Sequence, residues 1–262
     1  LGDAEELWEN DNFDQIYITH TPVYELLAKF HDPDPEKTRY LKVWGNHDLY
    51  WKDHQDIYQS LFPGMQIYEA AILNNTILMI HGHQADPMCS GPVAAVSQFV
   101  VNHIWADLQH LGAKDPTRAA TNPGLCNEVD ERLHKWATNN DWGINTVIAG
   151  HTHRAVFENL SLTEMRLKDL RFAVEAAAPF QDRRDSRYYN TGSCVHPLSV
   201  TGIEITFDDG LHFEMVEWGL ATEGHKIVSF STTQQVEVVT MTGSGMPYKD
   251  EVLIITTTLH LE

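Results

Sequence analysis

Short apolar runs that each break into a glycine-bearing polar cluster set the pattern of this chain. RYLKVW (39–44) leads into GNHD, TILMI (76–80) into HGH, NTVIA (145–149) into GHTH, and SRYY (186–189) into NTGS. Runs this short, rich in β-branched and aromatic residues and stopped by Gly, Asn or Asp, predict strands. Between them the apolar spacing turns helical, over 23–30 before the breaker HDPDPE, over 92–111, and over 128–136 after the turn-rich TNPGLCN. The last third changes character. TGIEITF and LHFEMVEW alternate around Asp209-Gly210, predicting a β-hairpin. From Ile227 the pattern is strand-like again, interrupted at MTGSGMP. The fold class is α/β, and polar loops following strands are a common place for an α/β protein to gather ligands. No repeat or interdomain linker divides the 262 residues, which read as a single domain.

Charge narrows the partners. Lys and Arg number 18 against 37 Asp and Glu, a formal net charge of −19. Such a field repels phosphate backbones and argues against nucleic acid as a partner. An anionic substrate would need local positive charge, which bound metal ions can supply. No apolar run approaches the roughly 20 residues that span a bilayer. The three cysteines, Cys89, Cys126 and Cys194, are widely spaced and form no CxxC pattern. They read as free thiols and point to a cytoplasmic location. The Arg-rich stretch QDRRDSR (181–187) reads as a solvated loop.

Candidate chemistry lies in four motifs in order: GDAEE (2–6), GNHD (45–48), HGH (81–83) and GHTH (150–153). Together they resemble the calcineurin-like metallophosphoesterase superfamily over most of residues 1–197. The resemblance implies a four-layer sandwich of two mixed β-sheets flanked by helices, with a helical cap inserted at 84–149. It implies two metal ions at the strand ends, bridged by Asp3. Asn46, His81 and His151 would complete the second metal's ligands, and His153 would serve the first. His47 would face the substrate, with Asp48 holding its orientation. Glu6 and Asn190 would support the site from behind. Mixed nitrogen and oxygen ligation suits Mn, Fe or Zn. The activity implied is hydrolysis of a phosphomonoester or phosphodiester, from a small molecule or a phosphoprotein, by in-line attack of a metal-bridging hydroxide. His83 falls outside the motif match and reads as structural, and Trp8 as a core or rim residue.

The family's first motif, DxH, has no counterpart before Asp3. The resemblance therefore implies an upstream segment that supplies an Asp and a His to the first metal. Two other readings remain. GDxxExW (Gly2, Asp3, Glu6, Trp8), GHTHR (150–154) and the position of Cys89 are similar to the UDP-2,3-diacylglucosamine pyrophosphatases of lipid precursors, although those enzymes carry Arg where His47 stands. A metal-free interaction scaffold of the same fold is the third reading. The presence of His47 and Asp48 speaks against it.

Overall fold

A computed structural model of the chain describes residues 1–8, 10, 12–34, 37–86, 89, 123–138, 143–157, 160–161, 187–195, 199–206, 210–219, 228–234 and 252–255. The fold is mixed α/β. Its strands are β1 (Lys42–Val43), β2 (Ile67–Tyr68), β3 (Ala70–Leu73), β4 (Ile77–Ile80), β5 (Thr146–Ala149), β6 (Val156–Phe157), β7 (Leu160–Ser161), β8 (Arg187–Asn190), β9 (Ser199–Thr206), β10 (Leu211–Gly219), β11 (Val228–Gln234) and β12 (Val252–Ile255). Helices α1 (Phe13–Leu27), α2 (Gln55–Gln59) and α3 (Pro123–Thr138) lie between them. No helix among the described residues is long and apolar enough to cross a membrane.

Seven strands form one mixed sheet in the order β12-β3-β4-β5-β8-β6-β7. In this sheet β4, β5 and β8 run parallel, so the loops that follow them emerge at one edge. Side chains alternate across a strand, and the two faces bury different partners. Ile72, Leu78, Ile80, Val147 and Tyr188 meet Leu133 and Ala137 of α3. On the other face Ile77, Ile148 and Tyr189 meet Leu211, Phe213 and Met215 of β10. The hairpin predicted around Asp209-Gly210 is present, with β9 and β10 antiparallel from Ser199↔Gly219 to Thr206↔His212. Strand β11 pairs on the outer side of β10 and completes a three-stranded sheet.

Helix α3 opens with Pro123, whose missing N–H costs nothing at a first helical position. It buries Cys126, Val129, Leu133 and Ala137 at helical spacing. Helix α1 begins ten residues before the apolar run at 23–30, capped by the Asn12 side chain, which accepts from the Gln15 amide. It bends at His20, just before Pro22 removes an internal hydrogen bond. Its Phe13 and Tyr24 join Trp44, Trp51, Tyr58 and Phe62 in a separate aromatic core. Only Lys42–Val43 of RYLKVW forms a strand, paired parallel with β2. The helical pattern at 92–111, most of 181–187 and MTGSGMP lie outside the described residues.

Candidate metal centre

The edge where β4, β5 and β8 end collects the motif residues. His81 follows β4 directly, Gly150-His151 follows β5, and β8 ends at Asn190. The GNHD turn follows β1, with Trp44 between them. Glycine lets these loops pack at contact distance. A Cβ on Gly45 would fall 2.1 Å from the Asp3 Oδ1, and one on Gly2 would fall 2.4 Å from His81 Nδ1.

His81 shows what this packing achieves. Its Nδ1 lies 2.7 Å from the Leu1 carbonyl oxygen, which can only accept, so the proton sits on Nδ1. Its Nε2 points the other way, into the space between the loops. It faces Asp3 Oδ2 at 2.9 Å and Asn46 Oδ1 at 3.2 Å. A proton on Nε2 would satisfy one of these oxygens, whereas a metal cation would satisfy both and the ring together. One ring nitrogen of His151 completes the cluster, with ligand atoms of Asp3, His81 and His151 all within 4.8 Å of one another. This donor set of carboxylate, amide oxygen and two imidazoles fits a transition-metal ion.

Electrostatics agree with that fit. Burial alone would push the Asp3 carboxyl up, but the His81 and His47 imidazoles beside it hold it well below the usual carboxylate range. Burial lowers the pKa of His151 and brings His153 down to about 4, so both rings are neutral near pH 7. Neutral imidazole and ionised carboxylate are the forms that bind metals.

The backbone is strained at the same residues. Asp3 (φ 53°), His151 (φ 61°) and His153 (φ 55°) occupy the left-handed region. A non-glycine residue held there costs about 1–3 kcal/mol and persists only where its surroundings dictate it. The other two such residues among those described, Asn74 and Asn75, sit in the β3–β4 turn, where asparagine tolerates the conformation.

Two buried networks hold the loops in place. Beneath residues 1–8 and GNHD, Lys42 Nζ donates to Glu5 Oε2 at 2.5 Å and lies 3.6 Å from Asp48 Oδ2. Trp51 and Tyr24 donate to the same Glu5 carboxylate. Beneath GHTH, Asp130 of α3 accepts from Arg154 Nη2 at 2.6 Å and from the Tyr188 hydroxyl at 2.7 Å. Asn190 Nδ2 donates to the Gly150 carbonyl at 2.6 Å and to Thr152 Oγ1 at 3.0 Å. Asn190 thus holds the residues on either side of His151, one through its backbone carbonyl and the other through its hydroxyl.

One expected role moves to a different residue. Asp48 does not orient the His47 ring. Its fully buried carboxylate accepts from the backbone amides of Asp3, Ala4 and Gly45 instead. Glu6 takes that position, with Oε2 2.7 Å from His47 Nδ1. The Trp8 ring lies against His47 at 4.5 Å between centroids, and the His47 amide donates to Asp3 Oδ1 at 2.8 Å. A side chain adjacent in sequence points elsewhere, while one 41 positions away meets the ring.

His153 stands outside the 4.8 Å cluster, although Asp3, His151 and His81 all act on its charge. His83 is buried beside the cluster, its ring 5.4 Å from that of His81, and its buried Nδ1 has no hydrogen-bond partner among the described residues. Glu5, Lys42, Asp86 and Asp130 were not singled out from the sequence, and Arg154 entered only as the last residue of GHTHR. The signal available was a charged residue inside an apolar run, as with Lys42 in RYLKVW.

Compared with family models, with curated proteins and with solved structures, the chain matches none of them.

Proposed function

We propose that this protein is a metal-dependent hydrolase of phosphoesters, with the four-layer architecture and dinuclear centre of the calcineurin-like metallophosphoesterases. The observation that carries the reading is the convergence of Asp3 Oδ2, Asn46 Oδ1 and His81 Nε2, with a ring nitrogen of His151 beside them. Asp3, Asn46, His81 and His151 would hold one cation, and Asp3 with His153 would contribute to a second, each being Mn, Fe or Zn. When bound, the metals polarise the phosphate oxygens and lower the pKa of water.

The chain's own residues do the rest. Glu6 accepts the Nδ1 proton of His47 and stabilises the ring's charged form, leaving Nε2 to give a proton to the departing oxygen. Trp8 fixes the plane of that ring. The net charge of −19 leaves the local metal site to attract the anionic substrate.

The test is turnover of a generic aryl phosphate with Mn²⁺, Fe²⁺ or Zn²⁺ added singly after chelation. Activity should return with metal, and His47→Ala should lower kcat by about 100-fold or more with metal content unchanged. Turnover that is indifferent to chelation, or to the loss of His47, would overturn the reading.

A further inference from the structure

A second group of metal-type ligands lies beside the first and contains sulfur. Ligand atoms of Asp86, Cys89 and His151 all fall within 4.8 Å of one another. Asp86 Oδ2 is 2.9 Å from His151 Nε2. The Cys89 amide donates to the Asp86 carbonyl at 3.1 Å, so one tight turn carries both side chains. That turn follows the short 3-10 segment His83–Ala85 at the end of β4, while His151 arrives from the neighbouring parallel strand β5. Two adjacent strand ends therefore build the group, and its elements are those that fix the main cluster.

We propose that Asp86, Cys89 and His151 form a separate binding site for a soft divalent cation, Zn²⁺ or its probe Cd²⁺. Zn²⁺ bonds of about 2.0–2.3 Å place ligand atoms roughly 3.3–3.8 Å apart in a tetrahedron, a spacing inside the 4.8 Å that encloses these three atoms, with Asp86 and His151 moving apart from 2.9 Å. Three protein ligands with one open position is the arrangement of an exchangeable site. The thiolate provides the selectivity, since sulfur favours Zn²⁺ and Cd²⁺ over Mn²⁺ or Mg²⁺. Asp3, Asn46 and His81 offer no sulfur, so the two clusters differ in the ions they prefer. Binding releases the thiol proton to solvent as the sulfur–metal bond forms. Cys89 is only half-buried, which leaves the cation a route in.

His151 belongs to both clusters. A neutral imidazole has one lone pair. The ring therefore serves one cluster at a time, and loading the sulfur site withdraws a ligand from Asp3 and His81. The site acts as a brake on the main cluster under excess zinc. This proposal stands independently of the phosphoester reading.

The experiment is titration of the metal-free protein with Cd²⁺ alone, followed by the ultraviolet charge-transfer absorption of a cadmium–thiolate bond. Wild type should saturate with one cadmium–sulfur bond per chain, and Cys89→Ser should abolish the band. Asp86→Asn keeps every thiol and should weaken Cd²⁺ binding by at least about tenfold. Absence of the band in wild type, its survival in Cys89→Ser through Cys126 or Cys194, or unchanged affinity in Asp86→Asn would each overturn the proposal. Because the readout needs no substrate and no second metal, a failed phosphatase assay does not affect it.

Discussion

The buried polar groups beneath the loops and those between the loops follow opposite rules. Around Lys42 the charges close on one another. One ammonium lies between Glu5 and Asp48, and the remaining carboxylate positions take amides, an indole and a phenol. Around His81 they close less fully, because a carboxylate oxygen, an amide oxygen and one ring nitrogen face one another, and a proton on that nitrogen can reach only one of the two oxygens. Burying polar groups is tolerable only when they are satisfied. The first arrangement is therefore complete as it stands, whereas the second could take a cation that would satisfy all three atoms at once. Scaffold and binding site can be told apart by which groups are satisfied, even where residue types and burial are alike.

Three perturbations probe that contrast. The largest effect belongs to Lys42→Ala, which leaves the Glu5 and Asp48 carboxylates buried without their counter-charge. It should lower unfolding free energy by about 3–5 kcal/mol in urea denaturation. A loss within 1 kcal/mol of zero would show that the network is not self-contained. Asn190→Ala should act between the two regions. By unclamping Gly150 and Thr152 it should weaken Mn²⁺ binding about 10–100-fold by calorimetry. If affinity is unchanged in a folded variant, the strained GHTH backbone is held by other contacts.

The smallest effect is in the acid limb. Burial pushes the Glu5 carboxyl up, but the Lys42 ammonium outweighs it and holds the carboxyl below its ordinary value. A carboxyl with a lowered native pKa stabilises the fold fully above its unfolded pKa, and loses that contribution as pH falls through the native one. Asp48 and Asp130, both raised by burial, shift stability in the opposite sense and so mask it in the wild type alone. The stability difference between wild type and Glu5→Gln isolates the effect. It should be constant above about pH 5 and shrink on acidification below the ordinary carboxylate range.

What was legible in the sequence were features with local signatures. TILMI, NTVIA and SRYY became adjacent strands, because short apolar runs ending in glycine-containing turns have few other structures open to them. That parallel arrangement sets His81 beside His151, and the loops carrying Asp3 and Asn46 pack against them from outside that sheet. Interactions between distant positions were not legible. Glu6 meets His47 and Asp130 meets Arg154 only through the tertiary fold. The start of α1 was hidden because Pro22 reads as a boundary, whereas the helix bends there and continues. RYLKVW shows the limit in one segment. Its apolar pattern predicted a strand over 39–44, but only Lys42–Val43 is one, with the Trp44 amide still donating to the Tyr68 carbonyl while its ring joins the aromatic core and Lys42 spans to Glu5.

The hydrogen bond from His81 to Leu1 has an evolutionary consequence. The group that sets the tautomer of His81 is a main-chain carbonyl, present whichever amino acid occupies position 1. No substitution there can delete it. The corresponding group on His47 is the Glu6 carboxylate, which a single codon change can shorten, neutralise or remove. One histidine is thus buffered against mutational drift, while the other is open to selection. Across descendants of this chain, the His81 ring should keep its Nδ1 partner, and variation should accumulate at positions 6 and 47.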